Sequence, residues 1–130
     1  LHKEGTLTVD EYRVIKTHPL IGDQILGPIN TLEGVRTTIL QHHERYDGKG
    51  YPHGVSGEEI SIMARILSVI DTFDAMVTDR PYRKAFSLSK AKEELKQGAG
   101  TQFDPQIANA FLNMLDAKEE ALLFTAGYSL

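Results

Sequence analysis

The sequence predicts an all-α domain, a bundle of helices, and three observations carry that expectation. Apolar residues recur at helical spacing through most of the chain, and no alternating apolar/polar run reaches strand length. Helix-start signals (Ser or Thr three residues ahead of Glu, and Asp followed by Pro) stand where the periodic segments begin. A chain of 130 residues is one domain's worth, long enough to bury a core.

The first helix opens at Thr8, which forms a capping box with Glu11, and runs through Tyr12, Val14 and Ile15. Pro19 interrupts it. A proline drives the residue before it away from α conformation, so His18 falls at a junction and a second helix opens at Pro19. Gly27 and Pro28 end that helix. A third covers Leu32 to His43, with Val35, Ile39 and Leu40 on its inner side. Glu44 to Gly57, rich in glycine and holding Pro52, is a loop, longer than most helix–helix connections and therefore a place to look for function. Ser56 with Glu59 reads as a second capping box opening the longest helix, to about Thr78. Asp79-Arg80-Pro81-Tyr82 is a turn. Helices follow from about Leu88 to Gln97, and from an Asp104 cap with Pro105 in the first turn through Ala108, Phe111, Leu112 and Leu115. The residues from Lys118 onward carry no assignable pattern.

Composition narrows the function. A net charge of -4 argues against nucleic-acid binding, which wants a basic face. No apolar run approaches the roughly 20 residues of a membrane-spanning helix, so no membrane span is expected in this segment. The absence of cysteine excludes disulfides, thiolate zinc sites and cysteine nucleophiles, and fits a cytoplasmic location. The chain begins at Leu1 without Met, and reads as a segment of a longer protein.

On the predicted long helix, Ser61, Arg65, Ser68 and Thr72 share one narrow arc at about 100° per residue, which reads as the solvent face. Ile60, Met63, Ala64, Leu67 and Ile70 spread over the other side, expected to be buried, and Asp71 and Asp74 fall among them. A carboxylate in such a place is expensive unless paired, hydrogen-bonded or bound to a metal. Either aspartate alone reads as well as a buried cap or bridge between helices.

Histidines supply the other half of a metal site. His42 and His43 end the third helix about 100° apart, so they can straddle a cleft and both reach one ion. Alone, one core and one surface histidine is the plainer reading, and His18 alone reads as a cap or packing residue. His2 and His53 have no supporting context and read as solvated. Together, His18, the His42–His43 pair and Asp71 come from three separate helices, as in metal sites built between the helices of a bundle. Imidazole and carboxylate without thiolate suit iron, manganese, zinc or nickel. Such ions generate hydroxide near neutral pH and neutralise charge on a phosphoryl group.

The string His42-His43-Glu44-Arg45-Tyr46-Asp47-Gly48-Lys49-Gly50-Tyr51-Pro52 resembles the HHE…DGxGYP signature of HD-GYP domains, a branch of the HD metal phosphohydrolases. The resemblance extends through Lys16-Thr17-His18-Pro19, Ala64-Arg65-Ile66, Asp71-Thr72-Phe73-Asp74-Ala75, Asp79-Arg80-Pro81-Tyr82-Arg83 and Gly100-Thr101-Gln102-Phe103-Asp104-Pro105, and covers about Leu7 to Leu115.

It implies that residues 1–130 are the C-terminal part of an HD-domain-like helical fold that hydrolyses cyclic di-GMP. His18, His42 and His43 would ligate one metal and Asp71 its neighbour, in a cluster of two or three iron or manganese ions with a metal-bridging hydroxide as nucleophile. Arg80 and Arg83 match positions that hold substrate phosphates. Glu44 would ligate a third metal or orient the histidines as an acceptor behind them. Tyr51 would contact a guanine base or, equally, brace the histidine helix.

In that family the namesake His-Asp pair precedes Leu1, so the segment alone is expected to bind metal weakly and to hydrolyse little or nothing. Apolar surface left by missing helices would favour a homodimer. Two alternatives are a non-catalytic module binding a partner such as a diguanylate cyclase domain through the Gly-Tyr-Pro surface, and a hydrolase of another cyclic nucleotide.

Overall fold

Six α-helices and two short 3₁₀ turns make up the computed structural model, which describes residues 6–127, apart from the side-chain surroundings of Asn30 and of 123–127. His2 lies outside the described residues. Among these residues there is no strand, only two isolated bridges, Arg80 with Arg83 and Ala99 with Phe103. The all-α expectation holds.

Local signals explain most of the boundaries. Helix α1 (Val9–Ile15) starts on the Thr8–Glu11 capping box, with Glu11 N donating to Thr8 Oγ1 at 3.2 Å and Thr8 N to Glu11 Oε2 at 2.7 Å. Helix α2 (His18–Leu26) carries Pro19 in its first turn, where the missing N–H costs nothing. Helix α3 (Glu33–Gln41) packs along α2, and Gly22 permits the approach: a Cβ there would stand 2.7 Å from Ile39 Cγ2. An Arg36–Asp23 pair at 3.1 Å ties the same two helices. Val35, expected to face inward, is exposed.

Helix α4 (Ile62–Val77) departs from expectation at its start. The Ser56–Glu59 capping box forms, but it caps only the 3₁₀ turn Gly57–Glu59. Ile60 then adopts extended backbone and buries its side chain, and Ser61 caps α4 by accepting from Ala64 N at 3.3 Å. Burying Ile60 thus costs one turn of continuous helix. Gln41 holds the ends of α3 and α4 together, its Oε1 accepting from Ser61 N at 2.7 Å.

Helices α5 (Leu88–Gly98) and α6 (Pro105–Gly127) complete the bundle. At 23 residues α6, not α4, is the longest helix, and it runs through the segment after Lys118 that pattern alone left unplaced. Lys92 of α5 explains part of that extension by pairing with Asp116 at 2.7 Å and with Glu119.

The core lies where α4, α5 and α6 meet. Val69, Met76, Ala91, Leu95, Phe103, Ala108 and Leu112 are buried there, and Phe73 meets Phe111 edge-on at 5.1 Å. Ile60 and Ala64 are buried as expected, but Met63 and Ile70 are exposed. Asp71 and Asp74 are exposed too, while Arg65, Ser68 and Thr72 are half-buried. The arc read as the solvent face therefore looks inward. The sequence pattern misleads at Ile70 because that residue lines an apolar groove between α4 and α6, with Ile66, Ile107, Phe111 and Met114, and is not in the core. No helix among the described residues is long and apolar enough to cross a membrane.

Candidate metal centre

His18 is the first residue of α2, His42 the C-cap of α3, and His43 the residue after it. The packing of α2 on α3 brings them together: one ring nitrogen of each lies within 4.8 Å of the others. Ring centroids are 5.5 Å apart for His18–His42, 4.7 Å for His18–His43 and 4.0 Å for His42–His43.

Two of the rings are oriented alike. His18 Nδ1 lies 2.6 Å from Ile15 O, and His42 Nδ1 lies 2.6 Å from Ile39 O. A carbonyl only accepts, so each Nδ1 carries the proton and each Nε2 keeps a bare lone pair, the arrangement a metal-ligating histidine requires. Burial, then the neighbouring His42 and His43's other neighbour His18, push the His43 imidazole down to about 4, which leaves it neutral at pH 7. These residues fit a divalent ion: three imidazole donors in reach of one point, two with their tautomer set for it.

A cleft of about 460 Å³ opens beside the histidines. His42 and His43 line one wall, and Ser68, Asp71, Thr72 and Ala75 of α4 line another, at the i, i+3, i+4, i+7 spacing of a single helix face. Asp71 does not join the three-imidazole group, though it borders the same cleft, as do Asp74 and Gln102. Ser68, Thr72 and Gln102 also border the cleft, and the sequence does not single them out as site residues; the spacing of the first two around Asp71 is the signal it offers, and it reads equally as a solvent face.

The remaining expected residues divide. Arg80 is exposed and lines the cleft. Arg83 does not line it; its guanidinium donates to Ala75 O, to Met76 O at 3.3 Å and to Lys84 O at 3.0 Å, and lies 4.4 Å from the Phe86 ring centroid. It closes the C-terminal end of α4, whose last carbonyls need donors, and these contacts occupy the fork that a phosphate would need. Glu44 makes no bond to a histidine. Its carboxylate, buried at 3% exposure, accepts from the amides of His53 and Gly54. Tyr51 stacks on the His43 ring, centroids 5.0 Å apart and planes at 20°. Lys16 Nζ sits 5.6 Å from the Tyr51 ring centroid and 4.8 Å from that of Tyr12. His53 is exposed, as expected.

A helical bundle with imidazoles and a carboxylate around one cleft has the donor set of a metal-dependent hydrolase, and comparison with known proteins gives the family. The profile described as HD domain matches residues 1–107, and the chain belongs to that family. The cyclic di-GMP phosphodiesterase response regulator RpfG of Xanthomonas campestris is 46% identical over 114 residues, which are 86% of this chain and 30% of that protein. A cyclic di-GMP phosphodiesterase of Vibrio cholerae is 40% identical over 119 residues, 86% of this chain and 24% of that protein. The crystal structure of a cyclic GMP-AMP-specific phosphodiesterase of V. cholerae shares the fold with a TM-score of 0.70 at 23% identity, over 89% of this chain and 27% of that one. Within the HD family, these relatives and the His42–Pro52 string make this an HD-GYP domain. The chain spans 30% or less of the relatives' own lengths.

Proposed function

We propose that this chain supplies one metal-binding wall of a phosphodiesterase that opens cyclic di-GMP to the linear dinucleotide by hydrolysis. The observation that carries the reading is the convergence of His18, His42 and His43 beside a cleft whose opposite wall presents Asp71. The three imidazoles would hold one ion and Asp71 the neighbouring one. Iron or manganese, two or three ions in the complete domain, suits nitrogen and carboxylate donors without thiolate. Such ions, when bound, activate water and neutralise charge developing on the phosphoryl oxygens.

The chain's own groups do the rest. With Nδ1 of His18 and of His42 engaged by a carbonyl, Nε2 of each would be the atom that meets an ion. Arg80, whose backbone pairs with Arg83 and whose guanidinium has no described hydrogen bond, stands at the cleft and can grip two phosphate oxygens at once. Arg83 is proposed to act indirectly, by holding the end of α4 from which Arg80 follows. Tyr51, with one face on His43, would border a bound base with the other. We also propose that the segment works as part of a longer cytoplasmic protein and is weak or inactive alone.

The 37% identity over 116 residues to a 3'3'-cGAMP-specific phosphodiesterase of V. cholerae favours a second reading, hydrolysis of that mixed dinucleotide. Two associations accompany the proposal: a diguanylate cyclase domain against the exposed Lys49 and His53 rim of the loop, and a homodimer through the groove between α4 and α6.

The test is hydrolysis of cyclic di-GMP, followed chromatographically with Mn²⁺ or Fe²⁺, by the full-length protein carrying this chain. Substrate should be consumed faster than cyclic GMP-AMP, and His42→Ala or His43→Ala should remove at least about 99% of the rate, two powers of ten or ~2.7 kcal/mol of barrier. Undiminished turnover in both variants would sink the proposal.

A further inference from the structure

We infer that Glu44 is a positioning residue for His43, acting through the loop that follows it and not as a metal ligand. The inference rests on the metal-binding reading of the three imidazoles. It starts from a difference among them. His18 and His42 are each oriented by the carbonyl three residues back, whereas no described hydrogen bond involves the His43 ring. Something else must set that ring.

Tyr51 touches His43 twice. Its N–H donates to His43 O at 3.2 Å, and its ring stacks on the imidazole. Gly50, just before it, lets the loop come this close: a Cβ there would stand 2.4 Å from Arg45 N and 2.6 Å from both Glu44 Cα and His43 O. Only a residue without a side chain can lie against that backbone.

Glu44 closes the same loop. Oε1 accepts from His53 N at 2.7 Å and Gly54 N at 3.1 Å, and Oε2 from Gly54 N at 3.0 Å. A carboxylate this buried is costly unless its oxygens are met, and here backbone amides meet them. The bonds fasten the strand of chain beyond Tyr51 to the residue just after His43. Tyr51 is thereby held from both sides, by Gly50 against the helix end and by the clasp at 53–54. Oε1, already serving two N–H donors, is a poor candidate for an additional ion, and Oε2 is engaged by Gly54 N as well.

The experiment is calorimetric titration with Mn²⁺, up to millimolar concentration, of the full chain and its Glu44→Gln variant, with amide hydrogen exchange on both. Gln keeps the volume but sets an NH₂ group against one of the amides. The expected result is an unchanged number of ions per chain, a dissociation constant raised about tenfold to a hundredfold, and faster exchange at His53 and Gly54. Tyr51→Leu, which leaves Glu44 alone, should weaken Mn²⁺ similarly. The double variant should be little worse than the weaker-binding single one, because both act through one unit.

Loss of one ion per chain with the others bound as before would make Glu44 a ligand and overturn the inference. So would an unchanged dissociation constant in both single variants. Wild type that takes up no Mn²⁺ would instead sink the metal reading itself, and this inference with it.

Discussion

Asp104→Ala should destabilise the domain by about 4 kcal/mol, and the structure says where that figure comes from. The carboxylate is 5% exposed and bonds in two directions. Oδ2 accepts from Arg65 Nη1 at 2.5 Å, joining the start of α4 to the start of α6, while Oδ1 caps α6 through Gln106 N at 2.8 Å and Ile107 N at 3.4 Å. Alanine leaves the Arg65 guanidinium, only 14% exposed, with Ile60 O as its remaining partner and no counter-charge. Breaking a buried pair from one side costs ~3 kcal/mol at the low end, and losing a helix cap costs ~1 kcal/mol. Together these amount to a fall in melting temperature on the order of 10 °C.

Urea denaturation measures the free energy directly. Asp104→Asn is the informative control, because asparagine caps as well as aspartate but carries no charge; it should recover only ~1 kcal/mol of the loss. The damage also reaches the cleft. The segment just before Asp104 accepts from the loop, with Tyr46 N bonded to Gln102 O at 3.2 Å and Asp47 N to Thr101 O at 2.8 Å. A loss below ~1 kcal/mol in the alanine variant would refute the account of how these motifs are joined.

Four further outcomes follow from the same geometry. Leu95→Ala, at a fully buried site between α4, α5 and α6, should cost ~2–5 kcal/mol while Mn²⁺ affinity per folded molecule stays put; a parallel loss of affinity would deny the separation of core and cleft. His18→Ala should abolish Mn²⁺ binding at the imidazole group by calorimetry without lowering the melting temperature by more than a few degrees, since the ring is exposed. Arg83→Ala should destabilise the end of α4, visible as faster amide exchange after Met76, and should leave KM for cyclic di-GMP less affected than Arg80→Ala does. The Asp47 carboxyl is held down to about 2, first by its hydrogen bond from Arg45 and then by the Lys49 amide. Because the folded value lies below the ordinary 3.8, its contribution to stability is complete above 3.8 and is lost as pH falls through about 2. Arg45→Met should move the NMR titration of Asp47 back toward 3.8, and no movement would contradict the bidentate pair.

Helix ends were legible wherever a side chain caps its own backbone: Thr8 with Glu11 and Asp104 with Pro105 act as read, while Pro19 marks the start of α2, which opens one residue earlier, at His18. What was not legible depends on partners distant in sequence. Ser56 and Glu59 form the box they spell, yet the burial of Ile60 ends that turn and hands the start of α4 to Ser61. Residues after Lys118 show little apolar period, and the helix there draws on Lys92, more than twenty residues earlier. The three histidines could be proposed from type and position, but their convergence needs α2 against α3, which Gly22 and Ile39 decide. Arg83 and Glu44 carry the right chemistry for a phosphate and a metal, but in the fold carbonyls and amides already occupy them.

Asp71 inverts the argument that first singled it out. As a carboxylate among buried apolar residues it would have demanded a cation to offset its desolvation. In the structure it is exposed, so water already solvates it and the fold stands without a partner for it. Stability therefore says nothing about a metal at Asp71; geometry has to. The face it shares with Ser68 and Thr72 looks across the cleft toward His42 and His43, and the other face of the same helix, Val69, Phe73 and Met76, is committed to the core. A carboxylate solvated at the edge of this cleft costs the apo protein little and becomes valuable only once positive charge enters the cleft. Asp71→Ala should accordingly leave the urea midpoint within about 0.5 kcal/mol of wild type, as for an ordinary surface substitution, yet remove hydrolysis in the full-length protein while the imidazole ion remains bound. A large loss of stability without added metal would show that Asp71 is structural after all, and retained hydrolysis would remove it from the site.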